Sequence, residues 1–162
     1  MKKYSWIIIL ANLVVFLGVF NFSIIKKEKQ LTRGNLIFLE LSPVDPRSLL
    51  QGDYMQLRYE IANNLDYDNI PEHGLCAIEL NGYGIAKNIR YLENMGQINT
   101  NEHPLKYTGK QWWGLKFGAE SFFFQEGEGE KYEKVKYGGI NVDENGNAIL
   151  IGLYDVNLKK IE

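Results

Sequence analysis

The fold is decided by the stretch Pro43-Val-Asp-Pro-Arg-Ser-Leu-Leu-Gln-Gly-Asp-Tyr-Met-Gln-Leu-Arg-Tyr-Glu-Ile61. Asp45 is a favourable helix N-cap, because its carboxylate accepts free backbone N–H groups of the next turn. Pro46 suits the first helical position, where its missing N–H costs nothing. Gly52 readily takes the left-handed conformation that ends a helix. The pattern therefore predicts one helical turn, a sharp stop at glycine and then a strand.

The residues after Gly52 change to a period of two, which is typical of a strand with one buried face. The predicted inner face carries Asp53, Met55, Leu57, Tyr59 and Ile61. The predicted outer face carries Tyr54, Gln56, Arg58 and Glu60. We expect Leu57 and Tyr59 to pack in the core. Tyr54 is either a contact residue or a cover over a neighbouring loop.

A family resemblance rests on the same residues. The segment Gly52-Asp-Tyr-Met-Gln-Leu-Arg-Tyr59 resembles the signature of the GDYXXLXY proteins, a bacterial membrane-anchored family. The similarity continues in residues 41–51 and returns in residues 118–127. It implies a membrane anchor and a domain outside the cytoplasm, but no particular reaction or ligand.

The composition predicts one small β-rich domain without a disulfide. A chain of 162 residues with 45% hydrophobic and 13% aromatic residues has ample material for one core. Sixteen glycines and ten tyrosines favour strands and turns. The single cysteine, Cys76, lies in an apolar run and is expected to be a small core residue. The net charge is −2 and no basic stripe is visible, so nucleic acid is not an expected partner.

The N-terminus predicts a transmembrane helix. Residues 4–25 are 22 residues without a charge, and as a helix of about 33 Å they would cross the lipid bilayer. We expect a retained anchor rather than a cleaved signal peptide, because residues 19–25 offer no Ala-x-Ala site. The predicted organisation is a signal-anchor helix over 1–25, a juxtamembrane linker or helix continuation over 26–34, and a β-rich domain over 35–162.

Two sequence features give opposite membrane orientations. Lys26, Lys27, Lys29 and Arg33 outnumber the two lysines before the helix, so a positive-inside count would place the domain in the cytoplasm. A short basic tail followed at once by an apolar run is, however, typical of signal-anchors, and the family resemblance implies the extracytoplasmic side. We therefore expect a single-pass protein of the cell membrane with its C-terminal domain outside the cytoplasm.

The remaining chain predicts a mainly β fold, a β-rich α+β domain built as one small antiparallel sheet or a partly closed barrel with short helices. Turn signals at 81–84 and 143–146 predict two hairpins. Residues 119–125 show no clear period, and residues 126–137 predict a short exposed helix. Strands are expected at 35–41, with both faces buried and beside the signature strand, and at 53–61, 75–80, 85–91, 105–117, 138–142 and 147–154.

The polar signature residues have two interpretations. As a pocket, paired carboxylates beside an arginine would act as acid and base. As a turn, Asp53 would accept backbone hydrogen bonds and Arg47 would fix the loop through an ion pair. The candidate pocket or contact residues are Arg47, Asp53, Tyr54, Glu120, Phe124 and Glu126. The candidate turn residues are Asp45, Pro46, Arg47, Gly52, Asp53, Tyr54, Leu57 and Tyr59.

Standard catalytic and metal sites find little support. The Gly-Asp turn leading into a strand is similar in shape to that of type I signal peptidases, but Val44 stands where their nucleophilic serine would be. His73 and His103 are 30 residues apart and show no ligand spacing. We assign no catalytic residues, metal ligands or cofactor.

Two functions remain open at this point. The first is an accessory domain without enzymatic activity, held in the bilayer by residues 4–25 and docking with another membrane or envelope protein. The alternative is a small-ligand-binding or hydrolytic domain that uses the carboxylate and arginine cluster. The absence of a standard catalytic set favours the accessory domain.

Overall fold

A computed structural model describes residues 5–42, 54–65, 70–109, 114–125 and 127–161 of the chain. The chain divides into two compact units, Met1–Arg33 and Gly34–Glu162. The turn residues Asp45, Pro46, Arg47, Gly52 and Asp53 lie outside the described residues, so the predicted helical turn stays a prediction. Trp112, Trp113 and Glu126 also lie outside them.

The first unit contains one helix, α1, which covers Ser5–Arg33. It continues from the predicted anchor through the basic residues as far as Arg33, so most of the predicted juxtamembrane segment 26–34 is helical. Its apolar part, Trp6–Glu28, is long and apolar enough to cross a membrane, and none of its most apolar window is buried. A signal sequence near an N-terminus meets the same criteria of length and composition.

The second unit is rich in antiparallel β structure, as the sequence predicts. Its described residues form three sheets with the strand orders β1-β7-β8, β2-β6 and β4-β3-β5, and these sheets do not close into a barrel. The strands are β1 (Asn35–Glu40), β2 (Tyr54–Gln56), β3 (His73–Leu80), β4 (Ala86–Leu92), β5 (Glu102–Thr108), β6 (Ser121–Phe123), β7 (Tyr137–Val142) and β8 (Ala148–Tyr154). Short 3-10 helices cover Glu60–Asn64, Met95–Gln97 and Gly129–Lys134.

Both predicted hairpins are present, and a side chain at each turn explains them. The side-chain oxygen of Asn81 accepts a hydrogen bond from the backbone of Tyr83 at 2.9 Å. Asp143 accepts from the backbone N–H groups of Asn145 and Asn147, also at 2.9 Å. Partial burial alone would raise the pKa of Asp143, but the hydrogen bonds from Asn147 and Asn145 outweigh it and lower that pKa. Local turn chemistry therefore sets these two connections.

The structure differs from the sequence prediction at β1. Ile37 and Leu39 on one face of the strand are fully buried. Leu36, on the other face, is 44% exposed, so the strand is not buried on both faces. Its ladder runs along β7, and the signature strand meets it at the bridge between Leu41 and Tyr59. In the described residues, the predicted pairing of β1 with the signature strand is thus limited to the bridge at the end of β1.

A second difference is that the strand predicted over 105–117 is divided. The strand β5 ends at Thr108, and Lys116 returns to it through two backbone hydrogen bonds of 2.8 Å. Gly109 has a φ of +123°, a conformation that favours glycine and allows the chain to leave the strand. The predicted alternation survives on the return, where Leu115 and Phe117 are buried.

Cys76 is a core residue, as predicted. It is fully buried on β3, and its thiol donates a hydrogen bond of 3.1 Å to the carbonyl of Leu105. Burial raises the pKa of the Cys76 thiol to about 12. The thiolate is the reactive form of cysteine. In the folded chain, the Cys76 thiol is shielded from reagents and its ionisation is suppressed, so both effects lower its reactivity.

We therefore expect Cys76 to react with a maleimide at pH 8 at least about a hundredfold more slowly in the folded chain than in denaturant, since reaction requires opening of the core. The labelling rate in detergent is followed by mass spectrometry. A Tyr83→Cys variant supplies a matched exposed thiol, which should react at the rate of a small-molecule thiol. Equal rates for Cys76 in the folded and denatured chain would contradict this burial.

Candidate functional site

The two segments that carry the family resemblance form a single β-ribbon. The strand β2 pairs with β6 in an antiparallel register that sets Tyr54 opposite Phe123, Met55 opposite Phe122 and Gln56 opposite Ser121. Beyond the strand, the backbone N–H of Leu57 donates to the carbonyl of Glu120 at 2.7 Å. The signature strand and the second segment of the resemblance are thus one structural unit.

Sequence reasoning missed the strand β6. Three consecutive phenylalanines conceal its alternation, in which Ser121 and Phe123 are exposed while Phe122 and Phe124 are half-buried. The signal was present in the period of two from Ser121 onward. An apolar residue on the outer face removed the contrast in polarity on which that signal depends.

The alternation predicted for the signature strand is confirmed where the structure describes it. Met55, Leu57 and Tyr59 are buried, while Gln56 and Arg58 are exposed. The regular strand is shorter than predicted, because the chain turns into the 3-10 helix Glu60–Asn64. Tyr54 belongs to the strand by its backbone and register.

Tyr59 joins the signature strand to the second segment. Its ring is 3% exposed and lies 6.0 Å from that of Phe117, and its hydroxyl donates a hydrogen bond to the carbonyl of Ala119. A β-carbon added at Gly138 would lie 2.9 Å from the Tyr59 ring, so that glycine makes room for it. Burial, followed by the negative charge of Glu120, raises the pKa of the Tyr59 phenol well above its usual value.

Glu120, a candidate pocket residue, holds a turn. One carboxylate oxygen accepts from the backbone N–H of Phe117, and the other accepts from Gly118 at 3.1 Å. Gly118 has a φ of +81°, the left-handed region that glycine tolerates best. Both oxygens of Glu120 therefore contribute to the backbone geometry beside Tyr59.

Phe124, a candidate contact residue, packs into the core. Its ring lies 5.3 Å from that of Tyr132, and Phe122 meets the same ring edge-on at 5.1 Å. Tyr132 is itself buried on the 3-10 helix Gly129–Lys134. The helix predicted as exposed in this region thus covers the inner face of the β2–β6 ribbon.

The outer face of the ribbon is exposed. Phe123 is 73% exposed, and Gln56 and Ser121 beside it are exposed as well. We call these three residues, with Tyr54 as the register partner of Phe123, the signature face. An exposed aromatic side chain with exposed polar side chains on the same face is a composition found in protein contact sites.

The candidate residues divide into two groups. Tyr54, Glu120 and Phe124 come together on the β2–β6 ribbon and the turn before it, with Glu120 in the turn and Phe124 in the core. Arg47, Asp53 and Glu126 lie outside the described residues, so the carboxylate and arginine cluster stays a prediction. Within the described ranges, no group of three or more His, Cys, Asp or Glu residues is placed to hold a metal ion.

A bidentate surface ion pair joins β4 and β5. Arg90 donates to both carboxylate oxygens of Glu102, at 2.8 and 2.6 Å, and also to the carbonyl of Gln97. The hydrogen bond from Arg90, with that from the Asn99 backbone, lowers the pKa of Glu102 to about 2. This bidentate pair fixes the connection between β4 and β5.

Comparison with known proteins identifies the family. A family model described as GDYXXLXY protein matches residues 16–153, a span that includes much of α1 and the whole β2–β6 ribbon. No curated protein and no solved structure matches the chain. Because the family match covers most of the sequence, the chain belongs to the GDYXXLXY protein family.

Proposed function

We propose that this chain is a membrane-anchored accessory protein of the bacterial envelope whose β-rich unit, outside the cytoplasm, docks with another membrane or envelope protein. The observation that carries the proposal is the contrast between its two units. The helix α1 exposes an apolar segment of 23 residues, whereas residues 34–162 contain a core of their own. An exposed apolar helix of this length is suited to a lipid environment, and this supports the proposed anchor.

The retained anchor is supported by the sequence at the end of the apolar segment. Residues 19–25 contain no Ala-x-Ala pattern, the small-residue pattern at which a signal peptide is cleaved. Retention keeps the β-rich unit at the membrane surface, within reach of other membrane proteins.

The docking role is supported by the difference between the inward and outward residues of the signature strand. Its inward residues build the fold, since Leu57 and Tyr59 are buried and Glu120 holds the adjoining turn. Among its outward residues, on the signature face, Phe123, Gln56 and Ser121 are exposed. An exposed phenylalanine framed by polar side chains provides an aromatic anchor for a protein partner.

Site-specific cross-linking tests this proposal. A photoreactive phenylalanine analogue is placed at Phe123 or Tyr54, with Tyr83 as the control because its exposure of 77% matches that of Phe123. After irradiation of intact membranes, we expect the same membrane or envelope protein to be captured from positions 123 and 54 and not from 83. Failure to capture a specific protein, or equal capture from all three positions, would contradict docking through this face.

A further inference from the structure

The helix α1 continues for about two turns past its uncharged segment, and those turns are basic. Residues 26–33 contain four basic residues and one acidic residue, a net charge of +3. The β-rich unit, residues 34–162, contains 12 basic and 19 acidic residues, a net charge of −7. The end of α1 therefore differs in sign from the rest of the chain that follows it.

The helical backbone sets the positions of these basic residues. Because α1 extends to Arg33, its residues are separated by about 100° around the helix axis and by about 1.5 Å along it. Lys26, Lys29 and Arg33 are spaced by three and then four residues, so they lie on one side of the helix within an arc of about 60°. Glu28 lies outside this arc. The three basic residues thus form a row about 10 Å long.

Interactions within the chain do not account for this row of charges. Lys26 and Lys27 are exposed and form no ion pair with any residue that the structure describes. A cation near the C-terminus of a helix interacts favourably with the helix dipole, but only within the last turn. That effect applies to Arg33 and not to Lys26, which lies seven residues before it. The lysines are therefore available to a partner outside the chain.

The lysines lie at the depth of the lipid headgroups. As a helix, the uncharged residues 4–25 are about 33 Å long, close to the thickness of about 30 Å of the hydrocarbon core. If α1 crosses the membrane, as the proposed function requires, Lys26 lies at the edge of the hydrocarbon and Lys29 lies about 4.5 Å beyond it. The headgroup layer on each side is about 5–7 Å thick. Lys26, Lys27 and Lys29 therefore fall within this layer, and Arg33 falls just beyond it.

We infer that the basic end of α1, namely Lys26, Lys27, Lys29 and Arg33, binds the phosphate groups of anionic lipids. Ammonium and guanidinium groups donate charge-assisted hydrogen bonds to phosphate oxygens. Each basic residue near an anionic lipid surface strengthens binding about fivefold, whereas a zwitterionic headgroup carries its own compensating cation. The inference rests on the proposed anchor, but it holds on either side of the membrane.

Lipid that copurifies with the full chain tests the inference. The chain is reconstituted in vesicles of equal amounts of phosphatidylglycerol and phosphatidylcholine and purified in detergent, and the bound lipids are quantified by mass spectrometry. We expect bound phosphatidylglycerol to exceed phosphatidylcholine by at least about tenfold. The triple variant Lys26→Gln, Lys27→Gln, Lys29→Gln should bind the two lipids about equally. Arginine at the same three positions should keep the preference, because the charge is retained.

A matched variant separates the basic end from the net charge of the chain. Lys87→Gln, Lys134→Gln, Lys159→Gln removes three exposed lysines of the β-rich unit and gives the same net charge of −5 as the first triple variant. We expect it to keep the lipid preference. Equal binding of both lipids by the unmodified chain, or equal losses in the two glutamine variants, would overturn the inference. Displacement of phosphatidylglycerol by inorganic phosphate, but not by chloride at the same ionic strength, would identify free phosphate as the ligand and overturn it as well.

Carbonate washing of the same vesicles separates this inference from the proposed function on which it rests. A chain that stays in the washed vesicles but binds both lipids alike overturns the lipid preference alone. A chain that the wash releases is not anchored, which overturns both proposals.

Discussion

Gly139→Ala is expected to lower the free energy of unfolding by about 3 kcal/mol, at the upper end of the usual cost of overpacking a core. A β-carbon at this position would lie 2.3 Å from Cε2 of Tyr154 and 2.9 Å from its Cδ2. The ring has little room to move, because Tyr154 is buried and packs edge-on against Phe38 at 5.0 Å. Denaturant unfolding of the full chain in detergent, followed by tryptophan fluorescence, measures the loss.

The cross-strand partner of Gly139 supplies the control. Gly152 lies opposite it in the β7–β8 register, and a β-carbon there would meet the end of the flexible Lys160 side chain, with Cε at 2.5 Å. That side chain can rotate away, so Gly152→Ala should change the stability by no more than about 0.5 kcal/mol. Equal losses in the two variants would show that the ring of Tyr154 is not the cause.

Local features of this fold could be predicted from the sequence. The turn residues Asn81 and Asp143 act on backbone groups within four residues, so each hairpin follows from its own segment. The alternation from Met55 to Tyr59 is equally local and is confirmed by burial. Such features need no knowledge of which distant segment lies opposite.

Partner choice between distant segments could not be predicted. The pairing of β2 with β6 joins residues separated by more than sixty positions, and nothing in either segment identifies the other. The close approach of Gly138 to Tyr59 is of the same kind. The sequence contains a glycine at 138 and predicts a core tyrosine at 59, but their contact depends on how these distant segments pack together.

The candidate site shows a different limit. Sequence reasoning associated Glu120 with a pocket, because paired carboxylates beside an arginine can act as acid and base. In the fold, its two oxygens accept backbone N–H groups of Phe117 and Gly118. These partners lie within three residues of Glu120, so the role is as local as those of Asn81 and Asp143. Glutamate is not among the residues that mark turns, and this local role was therefore missed.

Tyr59→Phe is expected to lower the free energy of unfolding by about 2 kcal/mol, because it removes one hydroxyl and leaves a buried carbonyl without its donor. The acceptor, Ala119, is itself buried, so water does not replace the lost hydrogen bond. The ring remains, and the packing against Phe117 should persist. Unfolding in detergent measures the change.

Tyr107→Phe is the matched control for this loss. Tyr107 is 1% exposed, and its hydroxyl has no hydrogen-bond partner within the described residues. Removing a buried hydroxyl without a partner should leave the stability unchanged or raise it by up to about 1 kcal/mol. A loss in Tyr107→Phe as large as that in Tyr59→Phe would mean that the hydrogen bond to Ala119 is not what makes Tyr59 important.

The raised pKa values of Tyr59 and Tyr107 also predict that the folded chain loses stability at alkaline pH. Burial, with smaller effects of Tyr91 and Cys76, raises the pKa of Tyr107 from 10.0 to about 12, and the pKa of Tyr59 is raised further. A group with a raised folded-state pKa contributes its full stability below its unfolded pKa and loses it as the pH rises through the folded value. Stability should therefore fall as the pH rises from about 10 to 12. Because each phenylalanine variant removes one of these phenols, each should show a shallower fall than the unmodified chain, and an unchanged slope in both variants would contradict their burial.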